Sequence, residues 1–276
     1  MTTTTTVLWD GLRFPEGARW HGGLLWFSDM HTGEVLQGDS GTGELTTVVR
    51  IDDQPSGLGW SADGALLVSS MLQRKVLRIS DTGEIAVYGD MSGLTTAPTN
   101  DLVVDDDGHV FVGGFGYDLY GGADQEPGPI FRIDDDGSVE IVETDMSFPN
   151  GSVVLPGSRT LVVAETWAAR LTAFDIAQDG SLTDKRVWAE LPAGSTPDGI
   201  CVDARAGVWV SSIATSTFLR VEEGGTVTDR VDIEPGRCAT DCAVDDAGTT
   251  LYLLTSNSWQ PSDTAVREGR IEALAL

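Results

Sequence analysis

The chain has 276 residues, with 43 Asp and Glu against 17 Lys and Arg, and a formal charge of −26. That balance repels nucleic acid and anionic membrane surfaces, and most of it reads as a solvated, charged exterior. No stretch approaches the roughly 18 apolar residues of a membrane-spanning helix, and MTTTTTVLWDGL lacks the basic and apolar regions of a signal peptide.

In chain order, TTTVLWDGL (residues 4–12) is a strand-like stretch ahead of a repeat that recurs six times. Each repeat opens on a polar residue: Glu16 in FPEGARW, Ser56 in QPSGLGW, Asn100 in PTNDLVV, Asn150 in FPNGSVV, Asp198 in TPDGICV and Thr240 in ATDCAVD. The separations are 40, 44, 50, 48 and 42 residues. Four short strands fit within each repeat. The first follows the polar residue. The second is the apolar run LLWF, ALLVS, HVFVG, TLVVA, GVWVS or TLYLL. The third is EVLQGD, KVLRIS, PIFRID, RLTAFDI, TFLRVE or GRIEAL, and the fourth is LTTVVR, IAVYGD, VEIVET, RVWAEL or VTDRVDI. DG, TG and GG turns punctuate these β-branched and aromatic runs, and no window has a helical period.

A period of this length with four strands per unit predicts one all-β domain over residues 1–276, a six-bladed β-propeller with four antiparallel strands per blade. The sixth repeat ends at GRIEALAL without a fourth strand. The N-terminal strand is therefore expected to complete the last blade and close the ring, so that deleting residues 1–10 destabilises the whole fold. Two long connections, 113–129 and 255–268, follow the second strands of the third and sixth repeats and are expected to wall one mouth of the channel. The DDDG stretches at 105–108 and 134–137 lack the spacing of a calcium loop and read as hairpin turns. Cys201, Cys238 and Cys242 form no metal-type spacing. They suggest reduced thiols in a cytoplasmic setting, with Cys201 in a core strand.

Equivalent positions of successive blades face one channel, so Glu16, Asn100, Asn150 and Asp198 should converge. Taken singly, each would serve a turn or strand end, since Asn-Gly and Asp-Gly are common turn dipeptides. Their shared place in the repeat favours a site. Carboxylates and amide oxygens are hard ligands, suited to one divalent ion: Ca²⁺ first, with Mg²⁺, Mn²⁺ or Zn²⁺ as further candidates. Two carboxylates facing each other would repel unless a cation held them together. His21, His31 and His109 lie elsewhere in the repeat, which argues against a histidine-built site or a Ser–His–Asp triad. Metal-assisted chemistry with Asp198 or Glu16 as general base remains. Ser56 and Thr240 hold the same place but are expected only to line the channel.

Over nearly the whole chain the sequence resembles the senescence marker protein / gluconolactonase / luciferin-regenerating enzyme family. FPEGARW, NDLVVDDDGHVFVG, FPNGSVV with LVVAETWAARLTAFDIAQDG, and TPDGICVDARAGVWVSS carry the resemblance. It implies a six-bladed propeller with one catalytic divalent metal held by Glu16, Asn150 and Asp198. Asn100 would contact substrate or a bound water, and Asp198 would be the general base of a lactone hydrolysis. The Glu, Asn, Asn, Asp set is also similar to that of diisopropyl-fluorophosphatase, which implies phosphotriester hydrolysis as an alternative; a non-catalytic binding propeller is a third reading. Sugar-lactone-binding members can carry an arginine two residues before the residue matching Asn100. Here Pro98 stands in that place, which turns the expectation toward a less polar lactone or ester. Tyr117, Tyr120 and Glu126 of the 113–129 loop are expected to supply other substrate contacts.

Overall fold

The computed structural model describes residues 5–276. Its 24 strands form six four-stranded antiparallel sheets, and within five of them the strands are neighbours in chain order. The sixth runs from Cys238–Val244 through Thr250–Ser256 and Gly269–Ala275 to the N-terminal strand Thr6–Leu12. The chain is a six-bladed β-propeller, and its N-terminal strand completes the last blade.

The inner strand of each blade is Pro15–His21, Pro55–Trp60, Thr99–Val104, Pro149–Val154, Pro197–Val202 or Cys238–Val244. These six pack side by side in a closed circle around the channel, the last against the first. The strands start before the polar residue of each repeat rather than after it. Proline opens four of them, at the one strand position where its missing N–H costs no ladder bond. The last strand of blade 4 begins at Leu182, four residues ahead of the RVWAEL run, because Thr183 and Leu182 already pair with Asp175 and Ile176. The long connections shorten to 115–127 and 257–268, the second carrying one short 3-10 turn, Asp263–Val266.

Each boundary between blades holds its own apolar cluster. Blades 3 and 4, for example, meet through Phe111, Ile130, Leu161, Val163 and Phe174. Blade 6 meets blade 1 through Trp9, Tyr252 and Ile271 against Leu25 and Phe27. Trp9 of the N-terminal strand crosses this boundary: its indole N–H donates to Gly43 O at 3.0 Å. Its ring lies where a Cβ on Gly38 would stand, 2.4 Å away. A seventh cluster, containing Phe14, Met30, Met71, Phe115, Tyr117 and Phe148, belongs to no boundary and caps one end of the channel.

Candidate active site

Every pairing of an inner strand with its neighbour is irregular at the head of the repeat, for instance between Glu16 and Arg19, between Pro149 and Ser152, and between Pro197 and Ile200. Such bulges re-aim side chains. Here they turn the head residue toward the channel mouth in blade after blade. Glycine follows it in four blades, so the head dipeptides sit in strands rather than turns. A Cβ on Gly17 would stand 2.3 Å from Ser56 O, and one on Gly199 would stand 2.0 Å from Asp241 Oδ1. The next inner strand comes too close for any side chain there. In blades 3 and 6 that place is taken by Asp101 and Asp241, whose carboxylates lie against the glycines of the preceding blades.

Glu16, Asn100, Asn150 and Asp198 meet at the floor of one cavity of about 250 Å³, and all four are buried. Ser56 and Thr240 are outside its lining. The Thr240 hydroxyl instead latches two blades together by donating to Pro15 O at 2.6 Å. The amide nitrogens at the floor are tied back in the same way. Asn100 Nδ2 donates to Pro149 O (3.3 Å), and Asn150 Nδ2 to Thr166 Oγ1 (3.2 Å), which itself donates to Pro197 O (2.8 Å). These bonds commit the nitrogens and leave the amide oxygens for the cavity.

The electrostatics of the floor are one-sided. Burial, and then the Asp198 charge, hold the Glu16 carboxyl well above its ordinary range. Burial and the charge of Asp241 do the same to Asp198, opposed by a hydrogen bond from Asn150. The channel's guanidinium, Arg19, sits one layer down and pairs with Asp101 at 2.9 Å. Asp241, beside it, is pushed up to about 7 by burial despite Arg19. No Lys, Arg or His lines the cavity among the described residues, and His31 approaches only from behind Phe14, with ring centroids 5.0 Å apart. Glu16 Oε1 is buried with no hydrogen-bond partner. A buried carboxylate oxygen without a donor is costly. A divalent ion fits the floor in kind, since it would answer that oxygen and face two carboxylates and two amide oxygens, all hard donors.

Above this floor the wall is apolar. The residue immediately after the second strand of blades 1, 2, 3 and 5 contributes Met30, Met71, Phe115 and Ile213. The residue two before the head residue contributes Phe14 and Phe148. Both long connections take part, through Leu119 and Tyr120 in one and Trp259 in the other. Phe148 has φ 63°, an unfavourable backbone conformation for a bulky side chain. Its ring is held over the cavity by Phe115 at 4.4 Å and Trp167 at 5.4 Å.

Of the three substrate contacts expected from the 113–129 loop, only Tyr120 lines the cavity. Burial, then the charges of Glu16 and Asp198, raise its phenol above the ordinary value. Tyr117 stands behind the wall, its hydroxyl accepting the Trp167 indole N–H at 2.8 Å. Glu126 is exposed and outside the lining, on the glycine- and proline-rich return of the loop. The apolar collar went unread because its residues look like ordinary core. The signal was the FP shared by FPEG and FPNG, together with the single apolar residue closing each second strand.

One other group, Asp105, Asp107 and His109, brings three potential ligand atoms within 4.8 Å of one another. Its atoms are already engaged. Asp105 accepts the N–H groups of Asp107 and His109 and pairs with the His109 ring at 2.9 Å, while Asp107 pairs with Arg159. This is the hairpin turn expected from DDDG, closed by Gly108 at φ 90°.

Fold and floor together define a class: six-bladed propellers that present inner-strand oxygen donors at one mouth of the central channel. Within that class the chain belongs to the SMP-30/Gluconolactonase/LRE-like family, whose region matches residues 14–257. It is 27% identical over 237 residues to the pentonolactonase XacC of Haloferax volcanii, covering 84% of this chain and 77% of that one. It is 28% identical over 176 residues to the diisopropyl-fluorophosphatase of Loligo vulgaris, covering 58% and 56%. Among solved structures, a calcium-binding regucalcin from Agrobacterium tumefaciens matches with TM-score 0.82 at 18% identity, covering 99% of this chain and 94% of that one.

Proposed function

We propose that the protein is a divalent-metal-dependent lactonase that opens a small lactone to a hydroxy acid. The observation that carries this reading is the convergence of Glu16, Asn100, Asn150 and Asp198 on one cavity floor with Glu16 Oε1 buried and unpartnered. Membership of the gluconolactonase family and the pentonolactonase relative support the reaction class. The regucalcin likeness, with the hard donor set, favours Ca²⁺.

In this reading Glu16, Asn150 and Asp198 hold the ion, which supplies Lewis-acid polarisation of the ester carbonyl. Asn100 positions the attacking water, whose O–H its free amide oxygen accepts. One Asp198 carboxylate oxygen takes a proton from the attacking water as the new C–O bond forms, then returns it to the ring oxygen as the ring C–O bond breaks. The apolar wall keeps bulk water off the floor, where the acidic layer formed by Asp101 and Asp241 keeps the base proton-avid. The free thiols Cys201, Cys238 and Cys242 fit a reducing, cytoplasmic setting.

The test is removal of metal with EDTA, restoration of single ions, and pH-stat assay on lactones and esters with bound metal counted by elemental analysis. Glu16→Gln should lose the ion and Asp198→Asn should lose turnover. If no lactone turns over with any ion, the reading fails. The 28% identity to a fluorophosphatase favours phosphotriester hydrolysis as the second reading, so one phosphotriester belongs in the panel.

A further inference from the structure

We infer that this cavity selects a lactone bearing an apolar alkyl or aryl substituent and discriminates against polyhydroxylated sugar lactones. The inference rests on the lactonase reading and concerns what the wall recognises.

A sugar lactone brings several hydroxyls into the cavity, and each needs a partner once water has left. The wall has few to give. Thr166 Oγ1 already donates to Pro197 O and accepts from Asn150. Thr196 Oγ1 accepts the Ala214 N–H at 2.8 Å. The Trp167 indole N–H is taken by Tyr117. No cationic side chain lines the cavity among the described residues. Among the polar groups above the floor, the donors left over among the described residues are the Tyr120 hydroxyl and the Thr196 hydroxyl proton. An unpartnered buried hydroxyl weakens binding by on the order of tenfold, so two or three of them exclude a sugar.

The apolar side of the wall is correspondingly overbuilt. Tyr120, Trp167 and Trp259 stand 37%, 42% and 40% exposed at the rim, an apolar surface open to solvent. Phe148 is held in a costly backbone conformation to roof the cavity. The volume of about 250 Å³ lies below the ~300–1,000 Å³ of pockets that take drug-sized ligands. It suits one ring with a short substituent, whose apolar area the methionine and aromatic collar would bury.

The experiment compares kcat/KM of the metal-loaded protein for δ-valerolactone, δ-decalactone, dihydrocoumarin, glucono-1,5-lactone and a pentono-1,4-lactone. The alkyl- and aryl-substituted rings should exceed δ-valerolactone by about tenfold or more, and both sugar lactones should fall below it. Phe148→Leu and Met71→Ala, checked for native circular dichroism, should cost the δ-decalactone kcat/KM at least about fivefold more than that of δ-valerolactone, chiefly in KM. Sugar lactones turned over best would overturn the inference and leave the lactonase reading intact. Turnover of no lactone would sink both.

Discussion

Glu16 and Asp198 make the residue-scale chemistry measurable without a substrate. Both carboxyls are raised above their ordinary values of 4.5 and 3.8 by burial and by negative neighbours. An acid raised in the folded state binds its proton more tightly there than in the unfolded chain. Its contribution to stability is present below the unfolded value and is lost as pH climbs toward the folded one. Metal-free Glu16→Gln, which cannot ionise, should therefore gain in Tm relative to metal-free wild type as pH rises above the ordinary value of 4.5. Saturating Ca²⁺ should reverse the order, because only wild type keeps the ligand. A gap between the two metal-free proteins that stays flat with pH would remove the electrostatic account of the floor. The four floor residues were legible because each heads a repeat and is polar where two other heads are plain hydroxyls. Phe14, Phe148, Met30 and Met71 occupy equally regular places, yet an apolar residue at a strand end carries no mark that separates wall from core. Tyr117 and Glu126 misled for the opposite reason: a loop's sequence shows which groups are near a mouth but not which way they turn.

At the scale of the strand, the inner ring is built on close approach. A methyl on Gly199 would meet Asp241 Oδ1 at 2.0 Å, and the carboxylate cannot withdraw freely because it accepts the N–H groups of Ala18 and Cys242. Gly199→Ala should cost about 1–3 kcal/mol by overpacking, read as a fall in denaturant midpoint. A neutral result would mean the blades can part at that point. The N-terminal strand offers a second test. Trp9→Ala removes a buried indole and its bond to Gly43, at about 3–5 kcal/mol. Deleting residues 1–10 should lower Tm further, by leaving Gly269–Ala275 as an open edge. Strand order and ring closure followed from the period and from the missing sixth fourth-strand. Strand limits did not, since the bulge and the opening proline belong to contacts between blades rather than to any one run.

For the molecule as a whole, four of the six inner strands bring a carboxylate to the channel, Glu16, Asp101, Asp198 and Asp241, and an ion at the floor would act as a keystone between strands that otherwise repel. At about a hundred times its dissociation constant, Ca²⁺ should stabilise the fold by roughly 2.7 kcal/mol, raising Tm by about 5–10 °C. Scanning calorimetry with and without EDTA reads this directly, and an unchanged Tm would place the ion elsewhere or nowhere. Closure of the ring also has a meaning in time. Thr6–Leu12 leaves the ribosome about 260 residues ahead of its partner Gly269–Ala275. At ~5–20 residues per second that interval is on the order of 10–50 s. Throughout it, Trp9 has no blade to complete. The nascent chain must carry its clasp open until Gly269–Ala275 is made, and only then can the ring lock.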